Sequence, residues 1–484
     1  MTVSAPVRNS SVSNSSVGGS NSNLTPGQQA LVASVQQQVS QLLSTQLDGN
    51  FQMITYPAGF NYAVTYGAGG YYNPATLATV DSLIAPTSSG TLSLTGGAFH
   101  TTYNEILQAA SYQYSTADAA VINAPNVAAQ AQAILSAAQS DGYPITTTYA
   151  AVLIDVVKNN VGPTAQVTPA NLAAAAQAIL ALYPDLGAAL SSYAQQLSPQ
   201  LAIINRQRQA ALELAAAQAN SQIPTAANGG LATSATAFGV AYTPLPTDNQ
   251  VLGGLNGPST VSVQIDVSNF SSNSTNFQVN GGASFSIPIF DVASIGIGGN
   301  ASYDMSRYTS QSSSLSITMD FKGVYMFSTK PTPLSADYSQ GWYDNDLLSS
   351  IVSGSGNAAV SGFKIPTSSQ YNIAATFGTG KTFSRLKTFV ISQQPTITLR
   401  FKGANSSQLT QDFKQSSSAN ITLFGLFKVG QINQSYQVSN VSQDSASGAV
   451  TIVLAPPAQQ GTIPLEAQVA YVLGGVASYP PTNI

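Results

Sequence analysis

The stretch Val261-Ser-Val-Gln-Ile-Asp-Val267 alternates apolar and polar residues along its whole length. The same alternation returns in Leu315-Ser-Ile-Thr-Met-Asp-Phe321, in Thr396-Ile-Thr-Leu-Arg-Phe401 and in Ala449-Val-Thr-Ile-Val-Leu454. Because successive side chains of a strand point to opposite faces of a sheet, a period of two predicts strands with one buried face. Several such strands in one region predict that residues 259–484 form an antiparallel β-sandwich.

These strands fall into two segments with a similar order of features, about Val261–Phe327 and about Thr396–Leu454. In each segment a strand leads through a pair of serines to a phenylalanine, Phe277 in the first and Phe413 in the second. A Gly- or Ser-rich spacer and further strands follow. The spacing differs between the segments, so two interpretations stay open: an internal duplication, or two unrelated hairpins.

Charged residues make up only 7% of the 484 residues, against about 25% in ordinary globular proteins. The apolar share of 43% is too high for a disordered chain, so we expect a folded protein with a polar but nearly uncharged surface. Such a surface lacks the like-charge repulsion that keeps monomers apart, which favours association with further copies of the chain. The chain also has few groups that titrate in acid, which predicts a weak response to low pH.

The remaining composition excludes several classes of protein. With 15 Lys and Arg residues against 19 Asp and Glu residues the net charge is −4, which argues against a nucleic-acid partner. The chain has no cysteine, so it forms no disulfide or thiolate metal site. No apolar run reaches the roughly 20 residues of a membrane-spanning helix. We expect an extracellular or cell-surface microbial protein, exported without a signal peptide or with its leader already removed.

Residues 1–24 form a Ser/Asn/Gly/Val arm that cannot bury enough apolar surface to fold alone. One interpretation is a disordered tail. The other is an assembly arm, because Val3, Ala5 and Val7 alternate as a strand added to the edge of another sheet requires. We assign Val12 and Val17 to the same arm. Its partner is expected to be a neighbouring copy of the chain.

Residues 25–223 are predicted to form a mainly helical, Ala/Gln-rich domain with a few short strands. Thr25-Pro26 and Asn73-Pro74 each place a capping residue before a proline, which favours a helix start. Thr102-Tyr-Asn-Glu105 has the spacing of a capping box and predicts another helix start. The last helix of the domain is predicted from about Pro199 to Ser221.

Two Ala-rich stretches of this domain, Asn126–Leu135 and Asn171–Leu180, have similar sequences. They indicate either a helical-hairpin repeat or the chance similarity of Ala-rich helices. Residues 224–258 are rich in Pro and Gly and are predicted to be a linker. The β half that follows carries an insertion at about 330–381. The predicted fold class is therefore α+β, with a helical domain followed by the sandwich.

Two short motifs contain residues that bind phosphate or metal in other proteins. Phe377-Gly-Thr-Gly-Lys-Thr382 has part of a phosphate-loop pattern, but Ala375 stands where that pattern needs glycine and the following residues predict a strand. We interpret this motif as a glycine turn. Asp344-Asn-Asp346 offers oxygen ligands, but the glycine and distal glutamate of a calcium loop are missing, which favours a role in a turn or helix cap.

His100 is the sole histidine of the chain. A Ser-His-Asp triad would have to use it, yet no Gly-x-Ser-x-Gly motif is evident, and one histidine cannot form a multi-histidine metal site. We therefore expect His100 to lie at a helix start or to serve packing. No catalytic, cofactor-binding or metal-ligating residue is assigned, and the chain is not expected to be an enzyme.

These features predict a structural protein, a self-assembling subunit of an extracellular filament, tube or surface layer. Its expected partners are copies of itself. One alternative is a pore-forming protein, because the Ser/Thr-rich strands around Ser284–Phe321 also suit insertion into a membrane. A second alternative is a carbohydrate-binding or adhesion module that uses exposed tyrosines and Trp342. A membrane partner belongs only to the pore-forming alternative.

Overall fold

The computed structural model describes the chain between residues 51 and 482. Within these limits it leaves out 62, 67–68, 88–90, 124–125, 146, 223, 269–274, 280–283, 288–292, 298–300, 305–311, 404, 415–417, 424–426, 430–435 and 457–468. The predicted arm residues Val3, Ala5, Val7, Val12 and Val17 lie outside the described residues, as does the helix predicted after Thr25.

The described chain mixes helices with strands, which is an α+β composition. The helices are α1 (Pro74–Val80), α2 (Phe99–Ala109), α3 (Thr116–Ile122), α4 (Asn126–Ser140), α5 (Tyr149–Asn160), α6 (Pro169–Ile179), α7 (Pro184–Gln222), α8 (Asp248–Leu255), α9 (Asn345–Gly354), α10 (Ile373–Thr376) and α11 (Ser406–Lys414). The strands up to the middle of the chain are β1 (Phe51–Asn61), β2 (Thr65–Tyr66), β3 (Tyr71–Tyr72), β4 (Ser82–Pro86), β5 (Leu92–Ala98), β6 (Ser111–Gln113), β7 (Leu231–Ala232), β8 (Phe238–Gly239), β9 (Tyr242–Thr243), β10 (Thr260–Ser268), β11 (Thr275–Val279), β12 (Ser284–Ile287), β13 (Ala293–Ile297) and β14 (Ala301–Asp304). The later strands are β15 (Ser314–Lys322), β16 (Tyr325–Ser328), β17 (Lys330–Pro331), β18 (Gly362–Lys364), β19 (Arg385–Ser392), β20 (Thr396–Lys402), β21 (Ser418–Leu423), β22 (Phe427–Val429), β23 (Tyr436–Gln443), β24 (Val450–Ala455) and β25 (Val469–Ser478).

The chain divides into two compact units, which we call the β unit and the helical unit. Of the described residues, the β unit contains those up to Tyr103, those within Ile223–Tyr343 and those within Thr376–Ile484, and the helical unit contains those within Asn104–Gln222 and Asp344–Ala375. This division differs from the sequence-based boundaries. The first strands belong to the β unit because β1 pairs along its length with β25, near the opposite end of the chain.

The Pro/Gly-rich segment 224–258, predicted to be a linker, is built into the β unit. It contains the short strands β7 to β9 and the helix α8, and it buries Tyr242 and Val251. The segment packs into the β unit because apolar side chains lie between its prolines and glycines. The predicted insertion at about 330–381 is divided, since its part Asp344–Ala375 belongs to the helical unit.

A closed ring of strands forms the first β structure, in the order β19, β25, β1, β5, β4 and back to β19, with β16 added to β19. The ring closes where β19 meets β4, with Arg385 opposite Leu83. Next to this pair, the backbone N–H of Ile84 donates to the carbonyl of Ser384. We call this junction the seam of the five-stranded barrel.

The second β structure is an eleven-stranded antiparallel sheet with the order β12-β11-β10-β15-β20-β24-β23-β21-β13-β14, in which β22 pairs with β21. Alternate residues of its central strands are buried, as in β10, where Val261, Val263 and Ile265 have less than a twentieth of their surface exposed. The sequence alternation therefore predicts the buried face of these strands correctly.

This sheet is curled. Eight strand-to-strand steps separate β12 from β13 in the sheet order, which in a flat sheet is about 38 Å. Only six peptide steps join Ile287, the end of β12, to Ala293, the start of β13, and a fully extended chain of that length spans about 21 Å. A flat sheet is thus excluded by the length of the chain, and its two margins approach each other.

The two segments with a similar order of features differ in structure. The first segment has the strand β11 around Phe277, whereas the matching stretch of the second is the helix α11, which buries Leu409 and Phe413. These two apolar residues are four apart and share one helix face. The two segments therefore fold differently in this stretch.

The helical unit has its own apolar core, formed by α4 to α7. The similar stretches of sequence lie in α4 and α6, and their matching residues Ile134 and Ile179 are both buried in this core. The helix α7 extends from Pro184 to Gln222 and includes Pro199, so the predicted start at Pro199 is wrong. The helix continues through the proline, which is therefore an internal residue of α7.

Candidate functional site

Buried polar groups converge at the barrel seam. We call Asp81, His100, Tyr242, Thr329 and Arg385 the seam cluster. Asp81, Tyr242, Thr329 and Arg385 each have less than a tenth of their surface exposed. They come from four separate parts of the chain, so the cluster exists only in the folded β unit.

Asp81 connects three elements of the fold. Its backbone N–H donates to the carbonyl of Leu77 and ends α1, and β4 begins at the next residue. Its Oδ1 accepts hydrogen bonds from the backbone N–H of His100 at 3.0 Å and from the Tyr242 hydroxyl at 2.6 Å. Its backbone carbonyl accepts from the N–H of Phe99. The residue thereby satisfies the first N–H groups of α2, which have no partner within the helix itself.

His100 lies in the first turn of α2, with its Nδ1 2.5 Å from Oδ2 of Asp81. An ionised carboxylate only accepts hydrogen bonds, so the ring donates from Nδ1. In the neutral tautomer Nε2 is then the acceptor for the Thr101 hydroxyl, at 3.2 Å. The order Asp81, His100, Thr101 has the connectivity of an acyl-transfer triad. The same contacts also fix the start of the helix, because Asp81 binds both the ring and the backbone of His100.

The helix predicted from the capping-box spacing at Thr102–Glu105 begins earlier than expected. α2 starts at Phe99, and Thr102 and Glu105 lie inside it. The correction has a physical cause: the cap is supplied by Asp81 from a separate element, and no local sequence pattern reveals it.

Arg385 is the first residue of β19 and is fully buried. Its Nη1 donates to the Thr329 carbonyl at 2.9 Å, and its guanidinium carbon lies 4.9 Å from the centre of the Tyr242 ring. Burial lowers the pKa of Arg385 from its usual value, and the surrounding Tyr242 and Asp81 oppose that change. Burial likewise raises the pKa of Tyr242 well above 10, and the Asp81 carboxylate adds to the rise.

An aromatic group packs against the seam cluster. The Trp342 ring meets the rings of Phe99, His100, Tyr103 and Tyr242 edge-on, with centroids 5.7 to 6.3 Å apart. Its Nε1 donates to the Ala241 carbonyl at 2.7 Å, and only 4% of its surface is exposed. Trp342 is therefore a core residue, and the expectation that its side chain is exposed is wrong.

The motif at Phe377–Thr382 contains two glycines with positive φ, Gly378 and Gly380, and it leads into β19. The strand predicted after the motif is confirmed. A phosphate loop continues instead into a helix, whose N-terminus faces the phosphate.

Asp344 and Asp346 serve the start of α9. The Asp344 carboxylate accepts the N–H of Leu347 at 2.9 Å as the helix cap, and Asp346 lies in the first turn. Both acids add to the effect of burial in raising the pKa of Glu213 within the helical unit. The predicted role in a cap is therefore observed for Asp344.

Neither a metal nor a membrane helix finds support in the described part of the chain. Between residues 51 and 482, outside the gaps given above, no three His, Cys, Asp or Glu side chains are grouped to hold a metal ion. In the same residues, no helix combines the length and the apolar character that crossing a membrane requires.

Comparison of the chain with family models, with curated proteins and with solved structures gives no match.

Sequence reasoning missed Asp81, Tyr242, Thr329 and Arg385. The available signal is a charged residue beside a strongly apolar strand: Arg385 precedes Leu-Lys-Thr-Phe-Val-Ile391, and Asp81 precedes Ser-Leu-Ile-Ala85. Buried charges are rare and need partners. In a chain with so few charges, an ionised residue at the start of an apolar strand is a useful indicator of a buried network.

Proposed function

We propose that the protein is a structural subunit that assembles with copies of itself, and that the helical unit supplies an assembly surface. The observation that carries the proposal is the distribution of exposed apolar side chains. Among the described residues, the large apolar side chains that are exposed all belong to the helical unit. They are Tyr149, Ile154, Val161, Val167, Leu180, Leu182, Leu212 and Val360.

The degree of exposure is largest at two leucines. Leu182, between α6 and α7, has 78% of its surface exposed, and Leu212 on α7 has 65%. Single exposed leucines are ordinary on protein surfaces, but several on one unit favour contact with another protein surface. Copies of the same chain are the partner that a near-neutral surface favours, because little charge repels them.

The described residues contain few ion pairs that could contribute to such contacts. In the described residues the close pairs between acidic and basic groups are His100 with Asp81 and Arg206 with Asp118. The second is long, at 3.4 Å, and its arginine is mostly exposed. Surface pairs of this kind contribute little to stability or specificity. We infer that apolar and uncharged polar groups would carry the subunit contacts, outside the cell or on its surface.

The experiment compares the full chain with the double variant Leu182→Asp/Leu212→Asp. Sedimentation velocity over a range of protein concentrations and negative-stain microscopy should show polymers for the unaltered chain and smaller particles for the variant. Two added charges at exposed sites repel the neighbouring copy and remove apolar contact, while the fold should tolerate them.

A matched control places the same two added charges on the β unit at the exposed Thr236 and Ser442, as Thr236→Asp/Ser442→Asp, and should assemble like the unaltered chain. Deletion of residues 1–24 tests the predicted arm separately. Single, well-separated particles of the unaltered chain at high concentration, across salt and pH, would rule out the assembly function.

A second candidate is a membrane-inserting, pore-forming protein. The observation in its favour is the position of the hairpins β11–β12 and β13–β14, which form the two margins of the eleven-stranded sheet. A marginal hairpin is paired to the rest of the sheet on one side only, so it can leave with less disruption than a central strand. Dye release from liposomes separates this candidate from assembly, which predicts none.

We also propose that the curled sheet forms the two layers of the sandwich predicted for the C-terminal half. The short connection between β12 and β13 supports this architecture, because it brings the margins of the sheet together. Hydrogen exchange of the full chain tests it: apolar positions on both halves of the sheet should be protected.

A further inference from the structure

The guanidinium of Arg385 is only partly satisfied in the seam cluster. Its Nη1 donates to the Thr329 carbonyl, and the Tyr242 side chain lies against the guanidinium and raises its pKa. Among the described residues, Nε and Nη2 still make no hydrogen bond of standard length and angle. The side-chain oxygen of Thr329 is buried without a partner as well. The unused donors thus belong to two residues that are already joined by a hydrogen bond.

Leaving these groups without a partner is costly. A buried donor without a hydrogen bond costs about 1–3 kcal/mol, and more when it is charged. Natural folds therefore almost always provide such groups with a partner, and an exception needs a specific explanation.

The chain's own carboxylates do not fill the site. Asp81 is the acid of the cluster, and its two oxygens already accept from the Tyr242 hydroxyl, the backbone N–H of His100 and the ring of His100. In the described residues no acid lies within 4.0 Å of the Arg385 guanidinium, since the ion pairs there involve His100 and Arg206.

The geometry of the free donors indicates the chemical class of the missing partner. Nε and Nη2 lie on one edge of the planar guanidinium, and this edge binds a carboxylate or similar oxyanion through two parallel hydrogen bonds. We propose that the seam cluster binds a small planar oxyanion of formate size, held by Arg385 and by the Thr329 hydroxyl. The site goes beyond the proposed assembly function and does not depend on it.

Thermal unfolding of the full chain tests the site, with sodium formate as the probe and sodium chloride at equal ionic strength as the reference. A ligand that binds the folded state raises the melting temperature by mass action. We expect formate to raise it by about 2 °C or more beyond chloride, with saturation. Arg385→Lys keeps the charge but removes the two-donor edge, and it should abolish the difference between formate and chloride.

Two further variants make the result specific. Thr329→Val removes one donor without removing the charge, and it should shift the formate response to several-fold higher concentrations. Arg400→Lys, at an exposed arginine of β20, should keep the full response. If Arg385→Lys does not fold, the unaltered chain and Thr329→Val decide the question. Equal effects of formate and chloride, or an unchanged response in Thr329→Val, would mean an adventitious additive only and would overturn the proposal.

Discussion

The strands of the barrel and those of the eleven-stranded sheet are buried in different ways. In β10 every second residue is buried, and the polar residues between them are exposed or half-buried. In β19 seven of the eight residues are buried, including the polar Thr388 and Ser392. The sheet separates polar from apolar groups by face, whereas the barrel strand has both faces covered.

This difference decides where each structure tolerates polar atoms. In the sheet, Ser262 donates to Asp320 across neighbouring strands on the exposed face, at 2.6 Å. At the barrel seam, Tyr242 donates to Asp81 over the same distance, but in a buried position. The two hydrogen bonds have similar geometry and different surroundings, so their energetic weights should differ.

The largest effect is expected where barrel strands approach most closely. A Cβ at Gly475 would lie 1.9 Å from the carbonyl oxygen of Thr388, a backbone atom that cannot move aside alone. Gly475→Ala should therefore destabilise the chain by about 3 kcal/mol or more, or prevent folding. Urea unfolding followed by circular dichroism measures the change.

The matched control for this variant is Gly253→Ala in α8. Nothing lies within 4 Å of a Cβ at Gly253, so the alanine should be neutral or stabilise the helix by about 0.5–1 kcal/mol. An unchanged urea midpoint for Gly475→Ala would show that the barrel is packed less closely than described.

The second expected effect distinguishes a strand that is buried on one face from a strand that is buried on both faces. In β19, Val390→Ala and Ile391→Ala should each cost about 2–4 kcal/mol, because both consecutive residues are buried. In β15, Ile317→Ala should cost a similar amount, but its half-buried neighbour Thr318→Ala should cost less than about 0.5 kcal/mol. Equal costs for Ile317→Ala and Thr318→Ala would contradict the alternation in the sheet.

The sequence predicts the sheet better than the barrel for a physical reason. Alternation in Val261–Val267 or Leu315–Phe321 reports a local property, one buried face, and the structure confirms it. The barrel joins strands from both ends of the chain, β1 and β25, through a long-range pairing. No local period encodes which distant strands will meet.

The seam cluster cannot be predicted from the sequence for the same reason, because its residues are far apart along the chain. His100 is noticed in the sequence because it is the sole histidine. Its partner Asp81 is recognised only in the structure, where it lies between α1 and β4 and contacts the His100 ring. Arg385 resembles any basic residue beside a turn until its burial is known. Local signals do succeed at helix starts such as Asn73-Pro74, where Asn73 accepts from the N–H of Ala75 at 2.9 Å.

The third expected effect compares the two hydroxyl-to-carboxylate bonds directly. Tyr242→Phe leaves Asp81 with one donor fewer in a buried position, which should cost about 1–3 kcal/mol. Ser262→Ala removes an exposed bond of equal length, and water replaces the lost donor, so the cost should stay within about 0.5 kcal/mol. The free energies of unfolding of the two variants give the comparison. A larger loss of stability for Ser262→Ala than for Tyr242→Phe would contradict the expectation that the buried bond at the seam matters more than the exposed bond in the sheet.

The smallest expected effect lies on a turn outside both β structures. Hydrogen bonds from the Ser335 hydroxyl and from the hydroxyl and backbone N–H of Ser339 lower the pKa of Asp337 from 3.8 to about 2. A carboxylate with a depressed folded-state pKa stabilises the fold above its unfolded pKa, and this contribution disappears as the pH falls through the folded value. The melting temperature of Asp337→Ala should therefore lie slightly below that of the unaltered chain at pH 7, and the difference should shrink between about pH 4 and about pH 2. Ser335→Ala should shrink the same difference, because it removes the largest cause of the shift. A melting-temperature difference that stays constant down to pH 2 would mean that Asp337 stabilises the turn independently of its charge. This exposed turn would then contribute no acid sensitivity to the protein.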